Sequence, residues 1–145
     1  LTLKFLGNIS PDRIPEIKKC LRTALTGVPV FFAPLGDVGV FPSLKRPRVL
    51  WVGLEDSGTL ADLQKRIDAG LAQVGFKLET KVFSAHLTLG RIKSGKIKLP
   101  DGFGNAQKIE TEPFAISAVT LYESQLTREG SIYKVIEEFK LDAPA

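Results

Sequence analysis

Phe83 to Arg91 reads Phe-Ser-Ala-His-Leu-Thr-Leu-Gly-Arg, and its Leu-Thr-Leu centre recurs at the start of the chain, where Leu1 to Gly7 reads LTLKFLG. Both stretches alternate apolar with polar side chains, the period of a half-buried strand. A match repeated in matching context is what two lobes descended from one duplicated unit would leave. Residues two apart on a strand share a face, so His86 and Thr88 set an imidazole beside a hydroxyl while Leu87 and Leu89 turn to the core. The imidazole titrates near neutral pH and can trade a proton, and the hydroxyl can donate to a phosphate oxygen. A lone histidine on an edge strand is often only a packed ring. Arg91 directly after the motif and Lys4 in the matching first stretch turn the reading towards an anion site.

Working outward, Ser10-Pro11-Asp12 offers an N-cap, a proline in the first turn and an acid at the positive helix end. A helix follows with Ile14, Ile17, Leu21, Ala24 and Leu25 on one stripe, closed by Gly27, and Cys20 is expected in the core. Val28 to Phe32 is predicted to be a strand, and Gly36 to Pro47 to be strand ends and a loop. Arg48 to Leu54 is a nearly continuous apolar run that suits a strand buried on both sides. Ser57 is expected to cap a second helix with Leu60, Leu63, Ile67, Leu71 and Val74 inward and Gly75 at its end. A strand over about Lys81 to Ile92, a loop from Lys93 to about Gln107, and a hairpin of two apolar runs turning at Thr127 to Gly130 complete the chain. The predicted order, β-α-β-β-α-β-β-β, is an α+β pattern with largely antiparallel pairing.

Composition narrows the function classes. The 145 residues are 43% hydrophobic and 25% charged with a net charge of +4, an ordinary globular balance rather than a disordered or fibrous one. No apolar run is long enough to span a membrane and no basic-then-apolar leader opens the chain, so the expectation is a cytoplasmic monomer without a membrane partner. One cysteine and one histidine exclude an internal disulfide and make a poor zinc ligand set. The absence of methionine leads to the expectation that the N-terminus is incomplete.

With these residues in hand, the sequence resembles the 2H phosphoesterases, in particular the RNA 2′,3′-cyclic phosphodiesterases also called 2′-5′ RNA ligases. FSAHLTLGR and LTLKFLG are similar to that family's two His-x-Thr motifs. Gly39 to Leu54 (GVFPSLKRPRVLWVGL) and Val119 to Leu141 (VTLYESQLTREGSIYKVIEEFKL) resemble further family segments. Ala85 departs from the proline that the family often carries there.

The resemblance implies an α+β fold of two similar lobes, each of mainly antiparallel sheet with outer helices, and an active-site cleft between the lobes. It implies that residues 1–145 are a single domain lacking about 40 preceding residues, with the first motif's histidine immediately before Leu1, and that the chain as it stands is impaired. His86 is then the proton acceptor and the preceding histidine the donor. Thr2 and Thr88 hold the phosphoryl oxygens, and Arg91 stabilises their charge. No metal or other cofactor is required. The substrate partner is RNA with a 2′,3′-cyclic phosphate end, and the reverse reaction would give 2′-5′ ligation.

Other residues are read from their chemistry. Lys4 adds positive potential, Phe41 can stack on a base, and Lys45, Arg46 and Arg48 form a basic cluster able to follow an RNA backbone. Trp51 and Tyr133 are assigned to packing, Tyr133 with the better chance of reaching the site. A non-catalytic RNA-binding module and a phosphodiesterase for small cyclic nucleotides are the alternatives. Gly90 to Lys96 has the spacing of a phosphate-binding loop but is followed by isoleucine where magnesium would need a hydroxyl.

Overall fold

Proline at a helix start costs no hydrogen bond, and the chain uses this twice: Pro11 opens a 3-10 turn over Pro11–Arg13, and Pro15 lies in the first turn of α1, Ile14–Leu25. In this computed structural model, residues 1–56, 58–92, 97–103, 109 and 111–143 are described. The predicted cap Ser57, most of the Lys93 to Gln107 loop and the Lys93 to Lys96 part of the phosphate-loop spacing lie outside them. The chain divides into two compact units. One holds Leu1–Phe5, Phe32–Gln64 and Thr80–Phe114, and the other holds Leu6–Phe31, Lys65–Glu79 and Ala115–Ala145.

In the second of these units, α1 buries Ile17, Leu21 and Leu25, three of the five stripe positions, while Ile14 and Ala24 stay half-buried. Gly27, at φ 75°, supplies the left-handed residue that ends the helix. Ser10 does not cap through its side chain. Its hydroxyl donates to the Asp12 carboxylate, and that bond, the backbone N–H of Asp12 and nearby Arg13 hold the Asp12 carboxyl below its usual value. Cys20 is half-buried rather than in the core. A methyl at Gly70 of α2 (Thr59–Ala72) would meet the Cys20 carbonyl at 3.7 Å and the Ala24 Cβ at 3.4 Å, so the helices approach closely at that point. The predicted hairpin forms between β6 (Ala118–Leu126) and β7 (Ser131–Lys140), with the Thr127 N–H donating to the Gly130 carbonyl at 2.8 Å across the turn. Lys18 and Arg22 of α1 both reach the Glu137 carboxylate of β7 at 2.6 Å.

In the other unit, β2 (Leu35–Phe41), β3 (Val49–Leu54) and β4 (His86–Arg91) form one antiparallel sheet in that order. The stretch read as strand ends and loop is therefore a full strand as far as Phe41, because its backbone pairs with the apolar run that follows. β3 is central, with Val52 and Leu54 buried and Val49, Leu50 and Trp51 only half-buried. α2 begins where Asp56 accepts the Thr59 N–H with its carbonyl and the Leu60 N–H with its carboxylate, and Leu60 and Leu63 lie buried. The boundary between the units falls within both β1 (Phe31–Ala33) and β5 (Phe114–Ile116), which form a separate two-stranded sheet.

Two expectations need correction. Leu1 to Gly7 forms no strand, since alternation alone does not make one without a ladder partner, and none pairs with it among the described residues; Phe5 is 81% exposed. Both Leu-Thr-Leu copies also fall in the same compact unit, so the repeat does not divide one copy to each unit.

Ile17 is fully buried. Ile17→Ala is expected to cost about 2–5 kcal/mol of stability in urea unfolding, whereas a loss below about 0.5 kcal/mol would contradict its place at the centre of the α1 face.

Candidate active site

Directly opposed residues in an antiparallel pair point to the same face, so register decides which side chains meet. His86 lies opposite Gly53, Thr88 opposite Trp51 and Arg91 opposite Val49, while Gly39 and Phe41 of β2 lie opposite Trp51 and Val49. One face of the three-stranded sheet therefore carries Phe41, Trp51, His86, Thr88 and Arg91. Strict alternation from His86 would have sent Arg91 to the other face. The ladder steps from Thr88 opposite Trp51 to Gly90 opposite Leu50, and Leu89 is the extra residue of a β-bulge that reverses the parity. The same bulge explains why Leu89 is 57% exposed instead of turned to the core as expected.

The His86 ring is fixed by two kinds of contact. Its Nδ1 lies 2.7 Å from the Ser84 carbonyl oxygen. A carbonyl can only accept, so Nδ1 carries the proton and Nε2 of the neutral ring keeps its lone pair. The Phe41 ring meets the imidazole edge-on at 5.1 Å, and Trp51 approaches it at 6.2 Å and 64°. Phe41 and Trp51 stack on each other at 5.1 Å. Sequence reading assigned Trp51 to packing alone, but it is part of the wall around the imidazole.

Gly39 makes that wall possible. A Cβ there would stand 2.2 Å from Cζ2 of Trp51, so the indole lies flat across the glycine where any side chain would block it. The indole N–H is buried without an acceptor among the described residues. Glycine inside a strand is the sequence signal for such a close approach, and it stands two residues before Phe41.

The remaining expected residues are placed less closely. Thr88 and Arg91 are exposed on the face, and Arg91 has no ion-pair partner among the described residues. Thr2 is exposed and belongs to the same compact unit as β4; Lys4, in that unit too, is half-buried and engaged with a partner. Tyr133 belongs to the other unit, where it is 65% exposed and meets Tyr122 edge-on at 6.0 Å. Among the described residues no three His, Cys, Asp or Glu side chains gather as a metal site.

A proton-accepting imidazole beside a hydroxyl and a guanidinium on one sheet face is equipment for acid-base chemistry at a phosphoryl group, the work of a phosphoesterase. The chain belongs to the family described as LigT like Phosphoesterase, whose sequence pattern matches residues 1–51 and 52–133. An RNA 2′,3′-cyclic phosphodiesterase of Methanothermobacter thermautotrophicus is 35% identical over 142 residues, covering 97% of this chain and 77% of that protein. One of Thermotoga maritima is 34% identical over 145 residues, covering 98% of this chain and 75% of that protein. Among solved structures, TT0787 of Thermus thermophilus matches with a TM-score of 0.84 at 26% identity, covering 99% of this chain and 78% of that one. E. coli LigT complexed with 3′-AMP matches with a TM-score of 0.76 at 25% identity, covering 97% of this chain and 75% of that one. The α+β fold with antiparallel sheets and helices expected from the sequence is the fold of these proteins.

Gly39→Ala is expected to displace the indole of the chain's one tryptophan and to change its emission. Gly90→Ala, whose added methyl meets nothing within 4 Å, is the control. Emission unchanged in Gly39→Ala would contradict the close approach.

Proposed function

We propose that this chain acts on RNA ends as a 2′,3′-cyclic phosphodiesterase, opening the cyclic phosphate to leave a 2′-phosphate. The observation that supports the reading most strongly is the His86 ring, which donates from Nδ1 to the Ser84 carbonyl and so keeps Nε2 bare, on the face that also carries Thr88 and Arg91. Relatives named RNA 2′,3′-cyclic phosphodiesterase over nearly the whole chain support it independently.

Opening the ring requires water to attack phosphorus in line with the departing 3′ oxygen, a base to take the water's proton and an acid to protonate that oxygen. His86 Nε2 is the base. The imidazolium that forms is stabilised by the Ser84 carbonyl at its other nitrogen, and the negative charge growing on the non-bridging oxygens is met by the Thr88 hydroxyl and the Arg91 guanidinium. Thr2 supplies the matching hydroxyl from the first motif and Lys4 adds positive potential. Phe41, 36% exposed, offers a ring to the terminal base. The acid is assigned to a histidine at the position before Leu1. Reversal of the same steps, with a 5′-hydroxyl in place of water, gives 2′-5′ ligation.

Turnover of an oligoribonucleotide with a 2′,3′-cyclic phosphate end, followed by identification of the phosphate position, tests the reading. In the protein carrying the upstream histidine, His86→Ala is expected to lower the rate about 10²- to 10⁴-fold with unfolding unchanged, and a rate equal to the parent's would remove the base assignment. The chain beginning at Leu1 is expected to turn over far more slowly than that longer protein; equal rates would remove the donor from its assigned position.

A further inference from the structure

The row Phe41, Val49, Arg91 is the last rung of the three-stranded sheet before the connection from β2 to β3. That connection, Pro42 to Arg48, reads Pro-Ser-Leu-Lys-Arg-Pro-Arg. Its base is pinned where the Arg48 N–H donates to the Phe41 carbonyl at 2.7 Å and the Arg48 carbonyl accepts the Ile92 N–H at 2.9 Å. A tighter turn inside it is closed by the Arg46 N–H on the Ser43 carbonyl at 3.1 Å. Lys45, Arg46 and Arg48 are all exposed, and none has an ion-pair partner among the described residues. No acidic residue occurs from Val38 to Leu54, so no charge of the segment's own offsets them. Two prolines narrow the backbone's freedom, and Leu44, 55% exposed, adds an apolar surface among the cations.

We infer that this loop is a second binding site, for the sugar-phosphate backbone of single-stranded RNA one or more nucleotides away from the reacting end. The inference rests on the proposed function and extends it from the cyclic phosphate to the polynucleotide behind it. Cations on a short, pinned loop beside an exposed aromatic ring match the chemistry that single strands require, which is charge along the backbone and a surface for a base. The loop begins one residue after Phe41 and ends one residue before Val49, so a strand whose last base meets Phe41 runs directly onto it. The site makes the protein selective for length: a cyclic mononucleotide reaches only the sheet face, whereas an oligonucleotide gains the loop as well.

The test compares the parent with the triple variant Lys45→Ala, Arg46→Ala, Arg48→Ala, using a nucleoside 2′,3′-cyclic phosphate and an oligoribonucleotide with the same end. Mononucleotide binding is read from Trp51 emission and oligonucleotide binding from the anisotropy of a 5′-labelled strand, each over a series of salt concentrations. Oligonucleotide affinity is expected to fall roughly tenfold or more at low salt, with its log-log salt slope reduced by about 2 for three lost contacts, while mononucleotide affinity stays unchanged. Equal oligonucleotide affinity in parent and variant, an equal loss for both ligands, or binding of an acidic peptide of matching charge as tightly as the oligonucleotide would overturn the inference. Failure of the parent to bind either nucleotide would instead overturn the proposed function, which keeps the two failures distinct.

Discussion

The register between β3 and β4 is the constraint on which the site depends. Gly53 opposite His86, Trp51 opposite Thr88 and Val49 opposite Arg91 put an imidazole, a hydroxyl and a fixed positive charge on one face. Because side chains alternate strictly, only an odd number of inserted residues can bring Arg91 to the face that His86 occupies. Leu89 is that residue. It stands exposed, and its exposure is the structural cost of re-aiming the arginine.

The rest of the face orients the imidazole. Ser84 selects the tautomer through its carbonyl, two residues before the ring it holds, so the constraint is local and survives small movements elsewhere. Phe41 and Trp51 limit the ring's rotation from the side, and Trp51 reaches its position only because Gly39 has no side chain. The indole N–H is buried and has no acceptor among the described residues.

Much of this is legible in the residues. The adjacency of His86 and Thr88 follows from period-two alternation, α1 from its apolar stripe and terminal glycine, and the β6-β7 hairpin from Thr127 to Gly130 between two apolar runs. Family resemblance supplies the activity, since alternation and charge alone reach only an anion site. The side on which Arg91 falls is not legible, because a bulge is a property of two strands in register and leaves no mark in one strand's pattern. Leu1 to Gly7 shows the same limit from the other direction: its alternation is that of a strand, but a strand exists only where a neighbour completes its ladder. Trp51 is undervalued by sequence for a related reason. Its role comes from a glycine one strand away, and the sequence does not say that the two lie opposite.

The central claim is that the imidazole is held as a base with Nε2 free. Since His86 is the one histidine of the chain, nitrogen-15 NMR of the imidazole above its titration reports its tautomer without ambiguity. The account predicts a protonated Nδ1 and an unprotonated Nε2. A ring protonated chiefly on Nε2 would contradict it.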